Sequence, residues 1–200
     1  MHAAEQDTAA GRQARAAFQE WRQQQEGEQL IFVDETGSHI DLARAYGWAP
    51  RGQRAYAAKP RNRGHALTLI GALGVNGLVA TRTMTGGTDG EVFRTYVDQI
   101  LVPQLRPGNI VLRDNLKAPK VAGIREAMEG AHATLRYLPS YSPDLSPLEL
   151  WWSKVKTILR ARAARTRAAL ALAWTDALAL VTSSDARPWF AHCGYCTEPN

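Results

Sequence analysis

Three acidic side chains lie far apart in this sequence, each where a folded chain commonly places a ligand. Asp34 follows the apolar run of LIFVDE, Asp114 closes NIVLRDN, and Glu149 opens the phrase LELWWSK. Side chains alternate across a strand, so Asp34 shares a face with Leu30 and Phe32 while Glu35 points to the other face. Only one of these two acids is expected to join a given site. By the same alternation Asp114 goes with Ile110 and Leu112, and Arg113 looks away. Each aspartate by itself reads as a turn former at a strand end. Together, on neighbouring strands, they would face one mouth of a sheet. Their repulsion near ~4 Å costs roughly several kcal/mol at an effective dielectric of ~20 unless a cation intervenes. Hard divalent ions with oxygen ligands, Mg2+ or Mn2+, meet that need.

Glu149 has a second explanation. In SPLE, Ser146 is a good N-cap, Pro147 suits the first helical position and Glu149 falls at the third, which is the capping-box pattern. Capping accounts for Glu149 without chemistry, yet an acid in a first turn also projects sideways into a neighbouring cleft. Asp144 competes as a third acid, although between Pro143 and Leu145 it is better placed to shape the turn.

The elements that position these residues follow from pattern. Residues 1–26 read as a lightly amphipathic helix or frayed arm ended by Gly27, and LIFVDE as a buried strand. Residues 36–64 carry little pattern, with a short strand expected near 40–45. Two β-like runs about Asn76-Gly77 predict a hairpin pairing 65–73 with 78–85. Thr88 and Glu91 have capping-box spacing before a helix that ends ahead of Pro103. The rest reads as a strand at NIVLRDN, a helix over 119–129, a strand at ATLRYLP, a proline-punctuated loop, a helix over 147–163, and a last helix over 167–182. A hairpin-bearing sheet continued through helix-connected strands is an α/β layered arrangement.

Composition bounds the function. The 200 residues suit one core, and no apolar run approaches a membrane span or a signal peptide, so the chain reads as soluble and cytoplasmic. Its net charge of +5 suits a polyanionic partner. Between Leu150 and Thr175 there is no acid, yet Lys154, Lys156, Arg160, Arg162, Arg165 and Arg167 all fall there. Arg44, Arg51, Arg54, Lys59, Arg61 and Arg63 form a second group around Trp48. Both groups are either DNA-facing surfaces or simply solvated faces. The two cysteines, in AHCGYC, lack the further pair a structural zinc site needs and read as part of a packed turn in a reducing compartment. Neither a P-loop nor a G-x-G-x-x-G fingerprint occurs, which disfavours nucleotide-binding enzymes.

Asp34 after LIFV, Asp114 in VLRDN and Glu149 in YSPDLSPLELWWSKVK, with 34 residues between the last two, resemble the acidic triad of DDE transposases. The branch they resemble is the bacterial insertion-sequence part of the mariner superfamily, whose usual loop phrase is PYSPDLNPIE..W. The stretch YGWAPRGQR also resembles a family segment, and the likeness covers about residues 29–195. It implies an RNase H-like catalytic domain over 29–195, between a helical arm (1–28) and a short tail (196–200). It also implies two Mg2+ or Mn2+ ions held by Asp34, Asp114 and Glu149, and DNA as substrate, both transposon ends and target. A homo-oligomer working on DNA at the nucleoid goes with it. The prolines then steer the loop, Trp151 and Trp152 anchor its helix, and Lys154, Lys156 and Arg160 reach phosphates, as do Arg51, Arg54, Lys59, Arg61 and Arg63.

Two features depart from the family. DNLKAPK places Lys117 and Pro119 where small residues and His are usual, leaving open whether Lys117 or Lys120 contacts phosphate. About 30 residues before the first strand are too few for the family's helix-turn-helix recognition region, so a separate upstream recognition protein or a truncated copy is expected. A remnant that only binds DNA and another RNase H-like nuclease are the alternatives.

Overall fold

The apolar run around Ile31 extends beyond its acids. It forms β1, Leu30–Ser38, in a computed structural model that describes residues 4–114 and 123–197. β2 (Leu67–Gly74) and β3 (Gly77–Thr85) make the expected hairpin. Only Gly77 takes a positive φ, 115°, whereas Asn76 does not, so one glycine supplies the left-handed residue instead of an Asn-Gly pair. β4 (Ile110–Arg113) and β5 (Thr134–Tyr137) complete a five-stranded sheet in the order β3-β2-β1-β4-β5. β1 is antiparallel to β2 and parallel to β4, and the β4 pairing ends at Val33 opposite Arg113. β1 therefore outruns β4. Beyond Val33 it has no strand partner on the β4 side among the described residues, and that step in the sheet lines the space described below.

Alternation gives the sheet two cores. Leu30, Phe32, Leu69 and Leu73 face one side, where they pack with α4 (Pro147–Arg162), α5 (Arg167–Ala179), α6 (Ser183–His192) and α1 (Ala9–Gln23). Ile31, Val33, Ile70 and Ala72 face the other, against α2 (Gly90–Tyr96) and α3 (Ile124–Gly130). Both strand faces are covered, which is why β2 is buried along its whole length and reads as an apolar run interrupted only by Thr68.

Several local expectations are corrected. No strand forms over 40–45; that stretch is turn and irregular backbone. Asp89, not Thr88, caps α2, its side chain accepting from the Val92 amide at 2.8 Å. Beyond α2 the chain widens into a π-turn at Val97–Leu101 and stays helical to Gln104, past Pro103. The helix expected over 167–182 ends at Ala179, and a further helix not expected from the sequence follows it, capped by Thr182 in a box with Asp185. Of the helix expected over 119–129, the first residues lie outside the described ones, as do Lys117 and Lys120. No helix among the described residues is long and apolar enough to cross a membrane.

Candidate active site

Asp34 lies inside β1, not at its end, but directly past the last residue paired with β4. Asp114 follows the end of β4, so the parallel register makes the two aspartates neighbours at the step in the sheet. Glu149 stands in the first turn of α4, at the mouth of the same step. The three acids line two adjoining cavities of about 720 and 320 Å3. The larger has an apolar floor of Phe32, Val33, Leu112 and Leu138 beneath the loop residues 141–146. The smaller is polar, with Glu35, Arg113 and Lys156 joining the acids.

Glu35 is the residue that strand alternation misses. It does point to the opposite face from Asp34, but where β1 outruns β4 both faces open on the same space. One of its carboxylate oxygens is buried there with no hydrogen-bond partner among the described residues. LIFVDE and NIVLRDN read as strands of similar length, so only the observed pairing reveals the mismatch.

Burial pushes the Asp34 carboxyl above the ordinary carboxylate range. The Glu35 amide and the Trp152 indole hold it down by hydrogen bonds, while the charges of Glu35 and Asp114 add to the rise. The Trp152 Nε1–H donates to Oδ2 at 3.0 Å. Arg113 is held below its usual value by its own burial, against the pull of Glu35 and both aspartates, and its guanidinium lies 3.6 Å over the Phe93 ring. The pocket thus concentrates negative charge in a partly dry place.

Glu149 reaches the site through local chemistry. Pro143 to Leu145 form one tight helical turn, Ser146 precedes the helix in an extended conformation, and Pro147 opens it. The expected side-chain cap is not made, for Ser146 offers α4 no side-chain hydrogen bond. Asp144 also lines the larger cavity but is paired with Arg15, which donates to its two oxygens at 3.0 and 2.6 Å and to Ser142 Oγ at 2.7 Å. That pairing accounts for Asp144 as part of the loop scaffold. Trp151 and Trp152 are both buried, which leaves no ring surface for stacking on a base.

A family model for the DDE superfamily endonucleases matches residues 29–171. The chain belongs to that family. Solved structures of the Mos1 transposase share its fold. The pre-cleavage Mos1 transpososome is 15% identical, with a TM-score of 0.71 over 90% of this chain and 57% of that one. The Mos1 paired-end complex with the left transposon end is 14% identical, with a TM-score of 0.73 over 91% and 57%. The Mos1 catalytic domain with raltegravir and Mg is 13% identical, with a TM-score of 0.64 over 93% and 90%. This chain therefore spans 57% of the Mos1 chains in those two assemblies and nearly the whole of the isolated catalytic domain. No curated protein sequence matches it. The mixed sheet flanked by helices is the RNase H-like fold of this superfamily.

The basic residues of this endonuclease domain divide by placement. Lys156 lines the polar cavity and Arg160 is half-buried one turn further along α4. Lys154 departs from expectation: its ammonium is 2.7 Å from both oxygens of Asp185 and donates to the Leu180 carbonyl, so it ties α4 to α6. Arg162 pairs with Asp176, and Arg165 donates to the carbonyls of Ile40 and Leu42. In the long excursion between β1 and β2, Arg51, Arg54 and Arg61 are exposed. Lys59 and Arg63 there pair with Asp41 at 3.7 and 3.2 Å and stay mostly exposed. At the other end, Cys193 is buried and Cys196 exposed, in a turn closed by the Tyr195 amide on the Phe190 carbonyl.

Proposed function

We propose that this chain is the catalytic domain of a transposase that cuts and joins DNA with divalent metal ions. The observation that carries the reading is the shared lining of both cavities by Asp34, Asp114 and Glu149, three acids from three elements.

The donor set fits Mg2+ or Mn2+. All three candidate ligands are hard carboxylate oxygens, and they line a polar cavity in which burial raises the Asp34 carboxyl and the charges of Glu35 and Asp114 add to the rise. Among the described residues no group of three or more His, Cys, Asp or Glu is already gathered at coordinating distance. Two ions held there would supply the Lewis acidity that activates a water or a DNA 3′-hydroxyl and neutralises the leaving oxygen. The chain's own part is positional. Asp34 and Asp114 form the fixed side of the clamp on the sheet, and Glu149 closes it from α4.

The Mos1 structures include a paired-end complex with Mn and a strand transfer complex. Transposon-end and target DNA are the corresponding substrates proposed for this chain. Arg51, Arg54, Lys59, Arg61, Arg63, Lys156 and Arg160 supply phosphate contacts, with Lys154 left to its structural pair. An oligomer on DNA, a helix-turn-helix recognition protein and a place at the nucleoid belong to the same proposal.

The deciding measurement is Mn2+-dependent nicking and joining of a DNA duplex by the wild type and by Asp114→Asn. Loss of both reactions in the variant, with DNA binding kept, supports the reading. Full activity in Asp114→Asn overturns it. Salt-sensitive binding with no cleavage by the wild type points instead to a DNA-binding remnant, since phosphate neutralisation needs no triad.

A further inference from the structure

We propose that Trp152 is a positioning residue for Asp34, so that α4 both delivers Glu149 and aims the aspartate it must meet. The inference rests on the metal-dependent reading above and adds a residue to it.

The contact is a directed one. An indole N–H can only donate, so its 3.0 Å bond to Oδ2 holds that oxygen along one vector, beside the hydrogen bond that the carboxylate accepts from the Glu35 amide. Trp152 follows Glu149 by three residues on α4, so one rigid helix fixes the distance between the two functional points. The ring itself has almost no freedom. Trp152 is 4% exposed and stacks on Trp151 with centroids 4.0 Å apart and planes at 23°.

The sheet has a matching recess. Gly71 on β2 is the register partner of Asp34 on β1. A Cβ at 71 would stand 2.2 Å from Trp151 Cη2, closer than real contacts come, and a tight 3.2 Å from Trp152 Cη2. The indole pair thus seats over a bare backbone next to the aspartate. Groups that orient a metal ligand in this way typically contribute ~10–100-fold to metal affinity.

Trp151 provides the control, because it is fully buried in the same stack yet its Nε1 has no hydrogen-bond partner among the described residues. Trp151→Phe and Trp152→Phe both trim one indole to a phenyl ring, and only the second removes a donor from Asp34. The test is the Mn2+ dissociation constant of the full chain, read by electron paramagnetic resonance of free Mn2+, beside the melting temperature. A loss of about 10- to 100-fold in Trp152→Phe, with little change in Trp151→Phe, supports the proposal. Equal losses in both variants would mean packing alone and overturn it. A wild type that binds no Mn2+ removes the metal-dependent reading and this inference with it. Should Trp152→Phe fail to fold, Mg2+ titration of the wild type decides: the Trp152 indole N–H resonance must shift while that of Trp151 stays, and an unmoved Trp152 signal overturns the proposal.

Discussion

Arg15 on α1 and Asp144 in the loop ahead of Glu149 form a two-pronged ion pair, with N–O distances of 3.0 and 2.6 Å. Gln6 adds a contact from the same arm to the Tyr141 carbonyl. The N-terminal helix is thereby fastened to the loop that leads into α4. An element of low hydrophobicity gains its place through charge and geometry as well as through Phe18 and Trp21.

Replacing Arg15 by Ala is expected to lower stability by about 1 kcal/mol, the upper end for a partly exposed pair, because the geometry is bidentate. For a chain of this size that is a fall of roughly 2–4 °C in melting temperature. The pH dependence has a definite sign. Arg15 holds the Asp144 carboxyl below its ordinary 3.8 by hydrogen bonding and charge. The pair's stabilisation is therefore present above that value and disappears as pH falls through the lower folded one. Acid unfolding curves of wild type and Arg15→Ala should converge at low pH.

Asp34 titrates in the opposite sense. Its folded carboxyl is raised from 3.8 by burial, so without metal the folded state keeps a proton that the unfolded chain has released. Stability contributed by this group falls as pH climbs through that window. A bound cation cancels the cost. The melting-temperature gain on adding Mn2+ should increase as pH rises above 3.8, and the increase should vanish in Asp34→Asn.

Gly71→Ala drives a methyl into the edge of the indole pair, chiefly Trp151. Overpacking of this kind costs about 1–3 kcal/mol. The same substitution displaces Trp152 from Asp34, so Mn2+ affinity should fall along with the melting temperature in calorimetry.

Lys154 and Lys156 should separate cleanly. Lys154→Ala breaks the tie to Asp185, whose carboxyl Lys154 holds below the ordinary range, and should lower the melting temperature with little effect on DNA binding. Lys156→Ala should leave stability nearly unchanged and reduce the slope of log affinity against log salt by about 1. Filter binding of a DNA duplex at roughly 50 and 200 mM salt reads the difference.

Cys193 is buried, and that burial pushes its thiol up to about 11. Cys196 is exposed. A thiol reagent at neutral pH should modify one cysteine in the native chain and both after unfolding, as counted by mass spectrometry.

Much of this protein is written locally. The prolines at 143 and 147 with Ser146 set the entry to α4, and the alternation Leu30, Phe32, Asp34 sorts β1 between two cores, because turn chemistry and side-chain period act over a few residues. Family membership is legible for the same reason, since its motif is three short phrases. Tertiary structure decided the rest. That β1 outruns β4 depends on pairing between strands separated by some eighty residues of chain, and only that mismatch brings Glu35 to the acids. The capture of Lys154 by Asp185, of Asp144 by Arg15 and of Asp34 by Trp152 joins residues 31, 129 and 118 positions apart. Such partners are chosen by which surfaces the packed helices bring within 3 Å, and no local pattern records that distance.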